Sequence, residues 1–322
     1  DSSQMEIYDG NQWTGILATS PHLHTGGTRG LFGGGETPSL TDRIDFINVD
    51  TTGNAADFGD LSFSRRNLKS ASDRTRLVFT GGYTSGPATY YNTLEFVTMA
   101  STGDVTDFGD LTDPRSRHAG VSSSTRGFAA GGLNSPFRNV IDYFTIQSLG
   151  NAVDFGDMSS QNYGASGAQG KTRGLFFGRY DSETRNIIEH ITMSTTGNAA
   201  DFGDLVRDSS QGTAGSNAVR AVAGTGTYSP SGSASANMQF VLIATLGNSV
   251  NFGDLSQNHI ECGEAACSPT RMVVPGSFSS NNNPSNKIEY AQIMTEGNFI
   301  DFGDLTLSNN GTSGGSNGHG GL

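Results

Sequence analysis

The sequence predicts an all-β chain built as a ring of repeated four-stranded antiparallel sheets. Three observations carry that prediction. One five-residue phrase recurs six times at a near-constant step, each recurrence sits in a unit with four short strand candidates, and no segment sustains the 3.6-residue apolar period of a helix.

The phrase reads Asp-Phe-Gly-Asp-Leu from Asp57, Asp107, Asp201 and Asp301. It ends in Met from Asp154 and begins with Asn at Asn251, and the steps between copies are 50, 47, 47, 50 and 50 residues. A period of this length belongs to solenoids, propellers and arrays. In the third unit a small-residue strand (115–124) is followed by a strand ending in a Gly pair (125–132). An aromatic and β-branched strand (140–148) comes next, then a short strand through Phe155. Gly beside Asn or Asp separates the last two in every unit (Gly53, Gly103, Gly150, Gly197, Gly247, Gly297), and these residues tolerate the positive φ of a hairpin turn. Four antiparallel strands per unit make a propeller blade.

Composition fits the crowding of such a ring. Strands nearest the axis need small side chains, as in Tyr163-Gly-Ala-Ser-Gly-Ala168 and Gly311-Thr-Ser-Gly-Gly315. Third strands lie between neighbours and are apolar on both faces, as in Phe240-Val-Leu-Ile243. Phe58, Phe108, Phe155, Phe202, Phe252 and Phe302 are expected to wedge between blades. Arg29, Arg76, Arg126, Arg173, Arg220 and Arg271 recur at one position and are expected to contact the Asp before each Phe. The order of elements resembles the kelch repeat, with Gly81-Gly82 and Gly131-Gly132 as its Gly pair and the six Phe where that repeat has Trp. Gly178-Arg179 and Pro275-Gly276 depart from it. This resemblance implies architecture only.

Six phrases alone give six blades. The ends point to a seventh, because Met5-Glu-Ile-Tyr8, Gly10-Asn11 and Trp13 match the second half of a unit, and residues 310–321 match the first half. The expectation is one domain over 1–322 with seven blades: 1–17 and 306–322 share a composite blade, and 18–305 hold six full repeats. Six blades is the alternative. Pairing the two ends removes the open sheet edge that closure must avoid.

Several chemistries are excluded or left without support. Net charge is −12, with no basic run longer than Arg65-Arg66, which opposes nucleic acid as a partner. No apolar run approaches a membrane span, so no membrane insertion is expected. Cys262 and Cys267 make no disulfide framework or metal cluster. The Asp-Phe-Gly triplets lack every other kinase element, and two carboxylates per phrase are too few for calcium. Gly311-Thr-Ser-Gly-Gly315 matches a nucleophile-elbow pattern outside the required strand–turn–helix setting. No catalytic residue, metal or cofactor is expected.

The repeats differ from one another mainly in the loops after the Gly pair. In an up-and-down blade these emerge on the same face as the interblade loops, so one face is standardised and the other diverse. Diverse loops on a rigid scaffold are where recognition concentrates. They offer Tyr83, Tyr90, Tyr91, Phe137, Tyr180, Tyr228 and Phe278 among Ser, Asn and Gly, a mixture suited to sugars or protein surfaces.

The full phrase Ser194-Thr-Thr-Gly-Asn-Ala-Ala-Asp-Phe-Gly-Asp-Leu205, with Thr172-Arg-Gly-Leu-Phe-Phe-Gly178 before it, resembles repeats of virion structural and fibre proteins of tailed phages, notably cyanophages. Tyr8-Asp-Gly-Asn-Gln-Trp13 is similar to phrases preceding C-terminal domains of phage fibres. The resemblance implies a virion location and a structural or tail-fibre role, with no catalytic residues and no particular receptor; adhesion to a host-surface glycan or protein is the expectation from the variable loops. The resemblance also implies contacts with other virion proteins and a homotrimer assembled through sequence upstream of Asp1. A purely structural decoration or docking role is the alternative, and a polysaccharide-active enzyme a more distant one.

Overall fold

The structure is a computed structural model. It describes residues 6–8, 13–15, 27–36, 38–228, 232–279 and 284–322. It is a six-bladed propeller of four-stranded antiparallel blades, with no helix among the described residues.

Blade 1 explains why there are six blades and not seven. Its second, third and outer strands are Arg29–Gly33, Arg43–Asn48 and Ala56–Asp60, and its inner strand is Ser313–Ser316 from the far end of the chain. The register runs Gly30 to Ser316, Leu31 to Gly315, Phe32 to Gly314 and Gly33 to Ser313. A first-strand sequence pairs with a second-strand sequence, as in every other blade, and the first unit supplies one that lacks an inner partner. The shared blade is therefore real, but its other half is residues 29–60 and not 1–17. The strands Glu6–Tyr8 and Trp13–Gly15 pair with each other as a separate two-stranded sheet. Residues 318–321, read as the start of a further strand, instead form turns and are buried with the rest of 316–322.

The recurring phrase is the seam between blades. Each Phe is 2–3% exposed and meets edge-on the third-strand ring of its own blade. The pairs are Phe46–Phe58, Phe96–Phe108, Tyr143–Phe155, His190–Phe202, Phe240–Phe252 and Tyr290–Phe302, with centroids 5.8–6.2 Å apart. Each Phe also belongs to one of six apolar clusters that join successive blades around the ring. The second Asp of the phrase donates its N–H to the turn Asn or Asp of the next blade. Asp60 bonds Asp104, Asp110 bonds Asn151, and the series closes with Asp304 on Asn54, all at 3.0–3.1 Å. Each outer-strand edge is thus capped by the neighbouring turn, which protects it from pairing with another molecule. The Gly is required by this approach: at Gly59, φ is +152° and a Cβ would lie 2.3 Å from the Gly103 carbonyl oxygen.

The repeated Arg does not meet the Asp of the phrase. Its Nη1 donates to a carbonyl just past the next blade's third strand, as from Arg29 to Met99, Arg76 to Ile146, Arg126 to Met193 and Arg271 to Val49. Its guanidinium also covers the third-strand ring, with Arg29 over Phe46 at 4.7 Å and Arg76 over Phe96 at 4.5 Å. Asp57 pairs with Arg43 instead, at 3.1 Å. The Arg and the first Asp recur with the same period but point to different neighbours.

Candidate functional site on the variable face

The two ends of the central channel are built differently. On the face of the Gly-Asn turns, Asn317 to Leu322 are buried and close the axis. His319 Nε2 lies 2.8 Å from the Ser72 carbonyl, and its Nδ1 accepts the Gly321 N–H at 3.1 Å. Those partners fix a neutral imidazole, and burial lowers its pKa to about 4. Above it, a cavity of about 30 Å³ is lined by inner-strand residues of all six blades, including Ser72, Ser122, Ser216 and Ser316. Glu264 enters this channel at 5% exposure. It accepts N–H bonds from Ser70 (2.8 Å) and Gly120 (3.0 Å) and hydroxyl bonds from Ser70 and Ser313, which links blade 6 to blades 1, 2 and 3. Burial raises its pKa to about 7. The Lys69 ammonium is the largest influence opposing that rise. Lys69 is itself buried and makes no side-chain hydrogen bond among the described residues.

On the opposite face the mouth is ringed by Asn67, Arg117, Gly164, Gln211, Glu261 and Gly311. All six have positive φ between 51° and 76°. Their backbones pass hydrogen bonds around the axis: Arg117 N–H to Asn67, Gly164 to Arg117, Gln211 to Gly164, Cys262 to Gln211, Gly311 to Glu261 and Asn67 to Gly311. Just before each ring residue, the interblade loop pairs with the loop that follows the second strand. Examples are Arg66 with Tyr83, Ser116 with Leu133, and Tyr163 with Tyr180. The two kinds of loop therefore form a single surface.

On blades 2 to 4 that surface is an arc of rings. Tyr83 and Tyr90 are 5.2 Å apart. Phe137 lies 4.9 Å from Tyr163 and 6.4 Å from Tyr180, and Tyr163 is 5.2 Å from Tyr180. Tyr91 packs on Phe63. Tyr228 stands apart on blade 5 under Arg207, and Phe278 lies on blade 6. The arc rests on buried ion pairs to third strands beneath it, from interblade loops in Arg65–Glu95 (2.7 Å) and Arg115–Asp142 (2.7 Å) and from the second strand of blade 4, Arg173–Tyr180, in Arg179–Glu189 (2.5 Å). Losing one partner of such a pair strands a buried charge, so these loops are held rigidly.

Two hollows open between blades 2 and 3. One of about 150 Å³ is lined by Arg66, Asn67, Tyr83, Tyr90, Arg117 and Leu133. The other, about 360 Å³, is lined by Tyr90, Leu133, Asn134, Pro136, Phe137 and Gln161 among others. Of these, the sequence by itself singles out only Tyr83, Tyr90 and Phe137. Tyr163, Arg66 and Arg117 escaped it because they lie in interblade loops, and Tyr163 was placed in an inner strand that starts at Ser166. The recoverable signal is position: Arg66 and Tyr163 each stand nine residues after the first residue of their phrase, and Arg117 stands ten after its own. Among the described residues no group of three or more His, Cys, Asp or Glu is arranged to hold a metal. Cys262 and Cys267 are buried, and burial raises both thiols, Cys267 to about 12.

No protein-family model and no curated protein matches the chain.

Proposed function

We propose that this propeller is a non-catalytic binding module of a phage virion appendage that contacts a host-surface glycan or protein through the variable face. One observation carries the reading: the six blades repeat the same bonds on one face, while the other carries six different loops and an aromatic arc on a rigid base. Recognition gives a reason for that division, because binding residues concentrate on loops held by a rigid scaffold. The Tyr, Ser and Asn content of the arc suits low-entropy contact with sugars or proteins. The virion assignment rests on the phage-like phrasing of the repeats. The test is binding of the purified chain to host cells and to an array of host-envelope glycans, with and without Tyr90→Ala and Phe137→Ala. Binding that both substitutions weaken supports the reading; an absence of binding to any envelope fraction counts against it.

A second reading, docking to other virion proteins through the turn face, is favoured by its apolar residues. Val219, Leu242, Leu246 and Val250 of blade 5 and Met294 and Ile300 of blade 6 are each 46–59% exposed there. Substituting Leu246 and Met294 by Ser separates the two readings, because it weakens assembly and leaves cell binding intact.

A further inference from the structure

We propose that the cleft between blades 2 and 3 holds an uncharged pyranose residue of a surface glycan. This rests on the variable face being the recognition face and assigns it a subsite and a ligand class. The two hollows share Tyr90 and Leu133, so they lie side by side and together make up the cleft, from the channel mouth outward. Its larger part falls within the size range of small-molecule sites, roughly 300–1,000 Å³.

The charged side chains that line the cleft are the cations Arg66 and Arg117, and both are already paired with carboxylates outside its lining, which favours an uncharged ligand. At the inner end Arg66 pairs with Glu36 at 2.5 Å and with Glu261 at 3.5 Å, and Arg117 pairs with Glu261. Two guanidinium groups face two carboxylates, all between 13% and 23% exposed at the side chain. A carboxylated or sulfated sugar would add an uncompensated charge to a partly desolvated, balanced set. The next charges inward, Lys69 and Glu264, are also of opposite sign.

The remaining chemistry is that of a sugar's two surfaces. Tyr90 and Phe137 offer ring faces, and each is braced by a second ring, Tyr83 and Tyr163 respectively. Flat apolar faces suit the C–H face of a pyranose. The polar tips along the cleft are the Tyr83 and Tyr90 hydroxyls, the Ser135 hydroxyl and the Gln161 amide. All are neutral and able both to donate and to accept, as sugar hydroxyls are. None makes a side-chain hydrogen bond among the described residues. Because the braced rings need little ordering on binding, the cleft is preorganised.

The experiment uses the chain as it stands against oligosaccharides ending in uncharged hexopyranoses and against matched uronate- and sialate-terminated ones, at low and high salt. Tyr90→Ala and Phe137→Ala are compared with Tyr228→Ala, a ring on the same face outside the cleft, and thermal unfolding confirms that each variant folds. The expected result is salt-insensitive binding of a neutral saccharide that weakens about tenfold or more in either cleft variant and is unchanged in Tyr228→Ala. Binding only to acidic saccharides, or binding retained in both cleft variants, overturns the cleft assignment and leaves the recognition face standing. Binding to cells without binding to any free saccharide also overturns it, in favour of a protein receptor. No binding to cells or saccharides removes both.

Discussion

The two faces of this propeller solve the same geometric problem in opposite ways. On the turn face, six blades repeat one set of bonds, from the second Asp of the phrase to the next blade's Asn or Asp, with identical residue types at most positions. On the loop face, six backbones repeat one conformation while the side chains on it are Asn, Arg, Gly, Gln, Glu and Gly. The first face repeats chemistry, and the second repeats only shape. A repeat protein can therefore keep its closure and vary its surface by placing the two demands at opposite ends of the same strands.

That contrast can be broken in several ways. The largest effect is expected from deleting residues 313–322, which removes the inner strand of blade 1 and the plug of the turn face together. The cooperative unfolding transition should disappear in denaturant titration followed by circular dichroism. Next, Arg115→Ala strands Asp142 beneath the aromatic arc and should cost about 3–5 kcal/mol of unfolding free energy. The loss should be accompanied by weaker binding at the loop face. Gly59→Ala acts on the other face only. It should cost about 1–3 kcal/mol through strain against Gly103 and leave ligand affinity unchanged, which isothermal titration would check.

The channel groups sharpen the comparison through pH. Glu264 has a folded pKa raised to about 7, so its contribution to stability is fully present below about 4.5 and is lost as pH rises to about 7. His319, lowered to about 4, contributes stability that is present above about 6.5 and is lost as pH falls to about 4. Each change is on the order of 3 kcal/mol. The slopes oppose each other, so single variants reveal them. Glu264→Gln should remove the loss between pH 5 and 7, and His319→Gln should remove the loss between pH 6.5 and 4, in chemical denaturation across that range. The smallest expected effect is Arg126→Ala, about 1 kcal/mol from its carbonyl bonds and its stack on Tyr143, read as a lowered melting temperature.

What was legible in the sequence follows the same division. The strand count per unit, the Gly-Asn turns and the buried Phe could be read because identical residues recur wherever identical side-chain bonds recur. The mouth ring could not, because a backbone conformation shared by Asn67, Arg117, Gln211 and Glu261 leaves no common residue type to find. The partner of the repeated Arg was misread because periodicity gives recurrence but not direction. The structure has the six blades of the alternative and not seven, because 5–13 imitates a half unit in pattern, while strand pairing is decided by which edge is free, and that edge belongs to Arg29–Gly33. The aromatic arc was partly visible: loop tyrosines stood out, but their bracing by Tyr163 required two loops distant in sequence to meet.

The strand that completes blade 1 has a consequence for the order of events in the cell. Blades 2 to 6 can pair as they leave the ribosome, since all their strands are consecutive. Blade 1 cannot, because residues 29–60 are synthesised early and wait for Ser313–Ser316, which emerge some 250 residues later. Until then the second strand of blade 1 has a free edge, and such an edge can accept the corresponding strand of a neighbouring chain as well as its own. Ring closure thus waits until residues 313–316 have been made, and the yield of closed monomer should depend on how far apart the growing chains are kept.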